Sequence, residues 1–324
     1  MKNFLNIHDV VNAEQLAQEA IAIKQQKFAN KSIGKDKTMV LLFLNSSLRT
    51  RISTQKAAHN LGMQTIVLNL GQDSWQMEYE DGAVMNGTTA EHIKEGAAVI
   101  SEYADIIGIR AFPTLTDREK DYSEYVLHKF LENVNVPVVN MESATVHPLQ
   151  SLTDLMTIRE YSKKEKPKVV LSWAPHIKPL PQCVANSFAE WMNHADVEFV
   201  ITHPKGYELN EKFSGNAHIE YMQDKAFENA DFIYAKNWSA YDSYGKILGD
   251  NPDWMITDKK MQLTNQANFM HCLPTRRNLE IADDVLDSAY SLVIKQAANR
   301  EYAAQAVLKK NIREFIMAIN CFFL

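Results

Sequence analysis

Thr38-Met39-Val40-Leu41-Leu42-Phe43-Leu44-Asn45-Ser46-Ser47-Leu48-Arg49-Thr50-Arg51 starts as an unbroken apolar run and ends in hydroxyls and guanidinium groups. A run without polar alternation reads as a strand covered on both faces, the habit of parallel sheets packed between helices. The next segment, 52–61, reads as a helix stopped by Gly62. The turn between them offers unpaired N–H groups and the positive end of a helix dipole, with Ser46, Ser47, Arg49 and Arg51 beside them. That equipment suits a phosphate dianion, because a guanidinium fork can hold two oxygens at once. Taken alone, the turn is equally compatible with a capped helix start carrying surface arginines.

The alternation continues along the chain. Strand-like runs at 38–44, 65–70, 105–110, 138–141, 168–173, 198–202, 232–235, 268–271 and 291–294 are separated by helix-like segments. The fold class is therefore α/β, with two lobes each holding a parallel sheet flanked by helices. Ligands in such sheets collect beyond the carboxyl ends of strands, so the residues just after these runs are the site candidates. At 324 residues and 46% hydrophobic content, the chain can build two cores. The helix-like stretch 150–164, striped by Leu152, Leu155, Met156 and Ile158, marks the expected change from a domain at 1–150 to one at 151–298. A last amphipathic helix, 299–324, is expected to pack back on the first lobe through Ala303, Val307, Ile312, Phe315 and Ile316. Its apolar tail, Asn320-Cys321-Phe322-Phe323-Leu324, reads as a packed helix end in preference to a membrane or partner contact.

Several function classes lose their footing. A net charge of −6 argues against general nucleic-acid binding while leaving room for a local basic pocket. Cys183, Cys272 and Cys321 are too few and too far apart for a disulfide framework or a thiolate metal site, which fits a reducing cytoplasm. No run approaches the ~20 apolar residues of a membrane span, so a soluble, unexported protein is expected. There is no G-x-G-x-x-G, no H-E-x-x-H and no G-x-S-x-G, and the P-loop-like 82–89 lacks its lysine. Neither a metal nor an organic cofactor is called for.

Two more strand exits change the odds for the opening turn. His147-Pro148-Leu149-Gln150 follows the run ending near Met141, and His271-Cys272-Leu273-Pro274 follows Phe269-Met270. With Ser47-Leu48-Arg49-Thr50-Arg51, these three segments resemble, in order, the S-x-R-T-R, H-P-x-Q and H-C-L-P motifs of the aspartate and ornithine carbamoyltransferase family. The likeness is greatest to the branch acting on N2-acylated ornithine. Its marks are the proline-rich Trp173-Ala174-Pro175-His176-Ile177-Lys178-Pro179-Leu180-Pro181-Gln182, the segment Phe232 to Trp238, Glu142, and the want of an S-M-G loop for a free α-amino group.

The resemblance implies carbamoyl phosphate and an N2-acyl-L-ornithine as substrates, a homotrimer with shared active sites, and a proline-rich loop threaded into a knot. It implies that Ser47, Leu48, Arg49 and Thr50 hold phosphate, that Thr50, Arg110 and His147 face the carbamoyl oxygen, and that Gln150 accepts from the carbamoyl NH2. Arg300 would reach carbamoyl phosphate, and Cys272 and Leu273 would orient the amine through their carbonyls. Glu142, His176, Lys236 and Arg276 would take the acylornithine, with Lys236 on its α-carboxylate. Trp75 would serve a neighbouring subunit's phosphate site. Residue by residue, plainer roles stand beside these: a surface ion pair for Arg110 or Arg277, a satisfied core histidine for His147, a core tryptophan for Trp75.

The acyl group is read at Ala90, where acetyl-type enzymes carry glutamate and succinyl-type enzymes proline. An alanine leaves the space uncharged, which favours a succinyl carboxylate, and Lys178 could supply its countercharge. N-acetylornithine is the alternative acceptor, and a non-catalytic sensor or assembly subunit is the alternative of another class.

Overall fold

The computed structural model of the protein describes residues 1–322, with side-chain surroundings through residue 314. After α1 (Ala13–Gln25), the first half builds β1 (Thr38–Phe43), α2 (Arg49–Asn60), β2 (Gln64–Asn69), the short β3 (Met77–Glu78) and β4 (Glu91–His92), and α3 (Ile93–Glu102). It continues with β5 (Ile106–Arg110), α4 (Arg118–Tyr122), α5 (Tyr125–Leu131), β6 (Val138–Glu142) and α6 (Pro148–Tyr161). Strands β2, β1, β5 and β6 lie side by side in that order, all parallel. The apolar run of β1 is at the centre and buried on both faces, as unalternating Met39 to Phe43 demands. Gly62 ends the helical stretch at φ +85, where a Cβ would stand 2.0 Å from the Lys31 carbonyl oxygen, so no other residue fits without moving that loop.

The second half builds β7 (Lys168–Trp173), α7 (Cys183–Asn193), β8 (Glu198–Thr202), α8 (Glu211–Ser214), β9 (His218–Glu220) and α9 (Gln223–Phe227). Then come β10 (Phe232–Lys236), α10 (Asp258–Met261), β11 (Asn268–Met270), α11 (Asp283–Leu286) and α12 (Val293–Phe322). Its five-stranded sheet has the order β11-β10-β7-β8-β9, again parallel. Among the described residues no helix is long and apolar enough to cross a membrane.

One sequence expectation is overturned. Residues 291–294 do not form a strand: Ser291 makes a single bridge to Phe269, and Val293 already opens α12. Val293 is buried while Ile294 is exposed, and Gln296 N–H donates to the Leu292 carbonyl at 2.7 Å, so helical periodicity wins over a four-residue apolar run. The last helix thus begins six residues before the expected 299. Ala303, Val307 and Ile312 are buried in the largest core cluster with α1, α2 and α6 residues, as expected of a helix returning to the first sheet. The expectations for Phe315, Ile316 and the apolar tail lie outside the described side chains. Strand β9 went unread because only Ile219 is apolar in its three residues.

Candidate active site

Strand order creates two crevices. In the first sheet β1 has β2 on one side and β5 on the other, so the winding reverses between β1 and β5; in the second it reverses between β7 and β10. Loops leaving such neighbours diverge and open a cleft at the carboxyl ends. The turn after β1 delivers Ser47, Leu48, Arg49 and Thr50, and β5 ends in Arg110. The loop after β7 carries His176 and Lys178, and β10 ends in Lys236. Both crevices open into one cavity of about 900 Å³, lined also by Glu142, His147, Gln150, Cys272, Leu273, Arg276 and Arg300. Every candidate site residue lines it except Trp75 and Ala90.

The first-sheet side is strongly cationic. Helix α2 starts at Leu48 with no side-chain cap, so its first-turn donors remain available. The Thr50 hydroxyl oxygen accepts from Arg110 Nη1 at 3.1 Å and Arg300 Nη2 at 2.6 Å. Arg110 also pairs with Glu142 and stacks 4.4 Å above the Phe112 ring, while Arg300 Nη1 donates to Gln150 Oε1. Burial, reinforced by the neighbouring guanidiniums, pushes Arg300 down to about 10 and lowers Arg49 as well. Two guanidiniums on one hydroxyl and that of Arg49 on the same cavity wall, with Glu142 as the nearby countercharge, favour an incoming dianion. Arg51, two residues from Arg49 and hence on another helix face, donates instead to Asn69 Oδ1 at 3.1 Å and does not line the cavity. His147 is buried, its Nε2 3.4 Å from Glu142 Oε2 and its Nδ1 without a hydrogen-bond partner among the described residues. Burial first, then Arg300 and Arg110, holds its pKa well below the usual value, so its imidazole is neutral.

The second-sheet side mixes both signs. Lys236 is largely buried, and its ammonium, on the cavity side, makes no hydrogen bond or ion pair with a described residue. Arg276 Nε donates to His176 Nε2 at 3.3 Å, and the latter lies 3.6 Å from Glu280 Oε1. Glu280 was missed in the sequence. It is buried, 3.4 Å from His271 Nε2, and accepts from Thr275 Oγ1 at 3.1 Å. Burial raises its pKa, but His271, Lys236 and His176 outweigh that and leave it lowered, so it is a carboxylate. Its only sequence signal was an acid four residues beyond Arg276. Cys183 was missed too; its thiol donates to Glu142 Oε1 at 3.2 Å, and burial, then Glu142, raises its pKa well above the usual, keeping it a thiol. The proline-rich loop is held by Asn237 Nδ2 donating to the Ala174 carbonyl at 2.9 Å and by Ser239 N donating to the Leu180 carbonyl at 3.0 Å. Arg277 is an exposed ion-paired neighbour, reaching Asp283 and Asp287 at 2.7 Å.

Trp75 and Ala90 sit together elsewhere. Trp75 is 56% exposed and its Nε1 donates to Glu91 Oε2 at 2.7 Å, which takes the Glu91 carboxylate away from Ala90. Ala90 is exposed, with its N–H on the Gln76 carbonyl at 3.2 Å. A tryptophan this exposed is not core.

Comparison with known proteins agrees with this geometry. The carbamoyl-P binding domain of aspartate/ornithine carbamoyltransferase matches residues 2–160, and the Asp/Orn binding domain matches residues 182–310. The chain is 53% identical to an N-succinylornithine carbamoyltransferase of Bacteroides fragilis, over 96% of this chain and 98% of that one. It is 52% identical to an N-succinylornithine carbamoyltransferase of Bacteroides thetaiotaomicron, over 96% and 99%. Among solved structures, a glutamate-to-alanine variant of N-acetyl-L-ornithine transcarbamylase, complexed with carbamyl phosphate and N-succinyl-L-norvaline, superposes with a TM-score of 0.88 at 35% identity, covering 96% of this chain and 99% of that one. With the ordered motifs assembled around one cleft and both family domains matched in sequence, the chain belongs to the aspartate/ornithine carbamoyltransferase family.

Proposed function

We propose that the protein transfers the carbamoyl group of carbamoyl phosphate to the δ-amine of N2-succinyl-L-ornithine, giving N-succinylcitrulline and phosphate in arginine biosynthesis. One observation carries the reading: three arginines converge at one sheet's crevice, and they share a cavity with a lysine at the other's that has no partner among the described residues. Phosphate sits on the open turn Ser47 to Thr50 with Arg49 and Arg300. The neutral δ-amine attacks the carbamoyl carbon, and Thr50, Arg110 and His147 meet the oxyanion of the tetrahedral intermediate. Aligning two substrates and stabilising that charge can contribute ~7 to 11 and ~3 to 4 kcal/mol respectively, so no protein nucleophile is required. Gln150 accepts from the carbamoyl NH2. Cys272 and Leu273 orient the amine through their carbonyls, and Lys236 takes the α-carboxylate, with Glu142, His176 and Arg276 around the rest.

The succinyl group is read from Ala90, which stands beside Trp75 outside its own cavity and in the trimer would meet the acyl group in a neighbour's site without a carboxylate to oppose it, and from Lys178 as countercharge; the likeness to N-succinylornithine enzymes supports this. N-acetylornithine remains the alternative acceptor. We assign residues 1–150, with the returning helix, to the donor and 151–298 to the acceptor. We also assign a cytoplasmic homotrimer in which Trp75 completes a neighbour's site, supported by its exposure and its distance from its own cavity. The stapled loop of residues 174–182 is the element we take to be knotted. A ureido-product assay with carbamoyl phosphate and, in parallel, ornithine, N-acetylornithine, N-succinylornithine and putrescine tests the reading. Preference for N-succinylornithine is expected; preference for another acceptor, or no turnover, overturns it.

A further inference from the structure

Behind the cavity, α6 and α12 are joined by a ladder of polar side chains. Gln150 and Asp154 stand one turn apart on α6, and Gln296 and Arg300 one turn apart on α12, so each pair presents to a single face. Arg300 meets Gln150 on the upper rung. On the lower rung, Asp154 Oδ1 accepts from Gln296 Nε2 at 2.6 Å and from Gln150 Nε2 at 2.7 Å. Asp154 is fully buried, and among the described residues its other oxygen accepts no hydrogen bond of good geometry, the Tyr234 hydroxyl being the group that approaches the carboxyl from the second sheet. The Gln296 amide oxygen in turn accepts from His271 N–H at 2.9 Å, at the entrance to the Cys272-Leu273 turn.

A glutamine amide presents a donor at one end and an acceptor at the other, and its neighbours decide which way it points. We infer that Asp154 is a positioning residue that sets the polarity of two amides, turning the Gln150 oxygen toward the carbamoyl site and the Gln296 oxygen toward the backbone of His271. If Gln150 flipped, its NH2 would face Arg300 and the carbamoyl NH2, donor against donor. Packing alone would be better served by a leucine here, since a buried carboxyl is costly unless its hydrogen bonds are needed. Burial pushes the Asp154 carboxyl up to about 7 against the pull of Gln296, Gln150, Tyr234 and Arg300, and Tyr234 and Cys272 are the titratable groups of the second sheet's side that feel it. The bonds it accepts do not require the charge. An asparagine oxygen in the place of Oδ1 can take both.

The inference rests on reading the cavity as a carbamoyl phosphate site, and the two are separable by experiment. Carbamoyl phosphate binding and steady-state kinetics are measured for the wild type, Asp154→Asn, Asp154→Leu, Gln150→Ala and the Gln150→Ala/Asp154→Leu double variant. Asp154→Asn is expected to keep kcat/KM for carbamoyl phosphate within about threefold of the wild type. Asp154→Leu should lose ~10 to 100-fold, the consequence of leaving buried amide groups misdirected. The double variant should bind carbamoyl phosphate no worse than Gln150→Ala, because Asp154 reaches that substrate through the Gln150 amide, while its hold on Gln296 bears on the Cys272-Leu273 turn and so on the acceptor KM. An Asp154→Asn variant as poor as Asp154→Leu, or additive losses in the double variant, overturns the inference. Failure of the wild type to bind carbamoyl phosphate overturns the reading of the site instead.

Discussion

Replacing Lys236 by methionine separates the demands of acceptor binding from those of folding, because the two should respond with opposite signs. The lysine is 8% exposed at the end of β10, and its ammonium has no hydrogen-bond or ion-pair partner among the described residues. Glu280 feels its field without touching it. If the ammonium meets the α-carboxylate of the acceptor, removing it leaves a desolvated charge unpaired, a loss of about 2 to 5 kcal/mol in such pairs. The cavity is open to water, which places the effect at the lower end, about 2 to 3 kcal/mol, or roughly 30- to 150-fold in the acceptor KM. Without acceptor the same ammonium is partly desolvated and offset only by the field of Glu280, so a methionine of similar length should leave Tm unchanged or raise it. Initial rates with both substrates varied, carbamoyl phosphate binding measured alone, and a thermal melt together form the assay. An equal fall in carbamoyl phosphate affinity, an acceptor KM within about threefold of the wild type, or a clear drop in Tm would refute the placement of Lys236.

Ala90→Glu should lower kcat/KM for N-succinylornithine about tenfold more than for N-acetylornithine, since in the assigned trimer it brings a carboxylate beside the succinyl carboxylate of a neighbour's site, which costs ~1 kcal/mol or more. Parallel kinetics on the two acceptors check this, and equal losses sink the charge argument. Away from the site, Glu190 on α7 is buried, and burial pushes it from an ordinary 4.5 up to about 7 against the pull of Lys212 and His194, with His8 3.8 Å away. The folded protein then holds a proton that the unfolded chain has released between pH 4.5 and 7. Its stabilising contribution is full below 4.5 and is lost as pH rises toward 7. Glu190→Gln should therefore lose less Tm than the wild type between pH 5 and pH 7.5, and superimposable profiles would count against it.

The strands were legible because parallel, doubly covered strands leave unalternating runs such as Val40 to Phe43, and all but the run at 291–294 stand where periodicity put them. That run failed because four apolar residues do not distinguish a strand from the first turn of a buried helix. The phosphate turn was legible for a related reason: hydroxyls and arginines at a strand exit have few structural uses. Arg51 was over-read, since spacing along a helix decides which of two arginines faces the cleft. Cys183 and Asp154 left no comparable trace, because each depends on a partner far away in the chain, and Glu280, though close to Thr275 and His271, gains its place in the cavity from His176 on another strand's loop. Asp154 meets Gln296 across 142 residues, and Cys183 meets Glu142 across 41.

By itself the sequence determined the class of fold, the two parallel sheets, and the ordered motifs that mark the family, because local patterns of burial, capping and charge are written in neighbouring residues. Only the tertiary structure decided which of those groups share a cavity. It brought Thr50, Arg110 and Arg300 to one point, left Trp75 and Ala90 outside, and set Lys236 across from them. Those outcomes depend on strand order and on the return of α12 to the first sheet, and neither is a property of any stretch of sequence read alone.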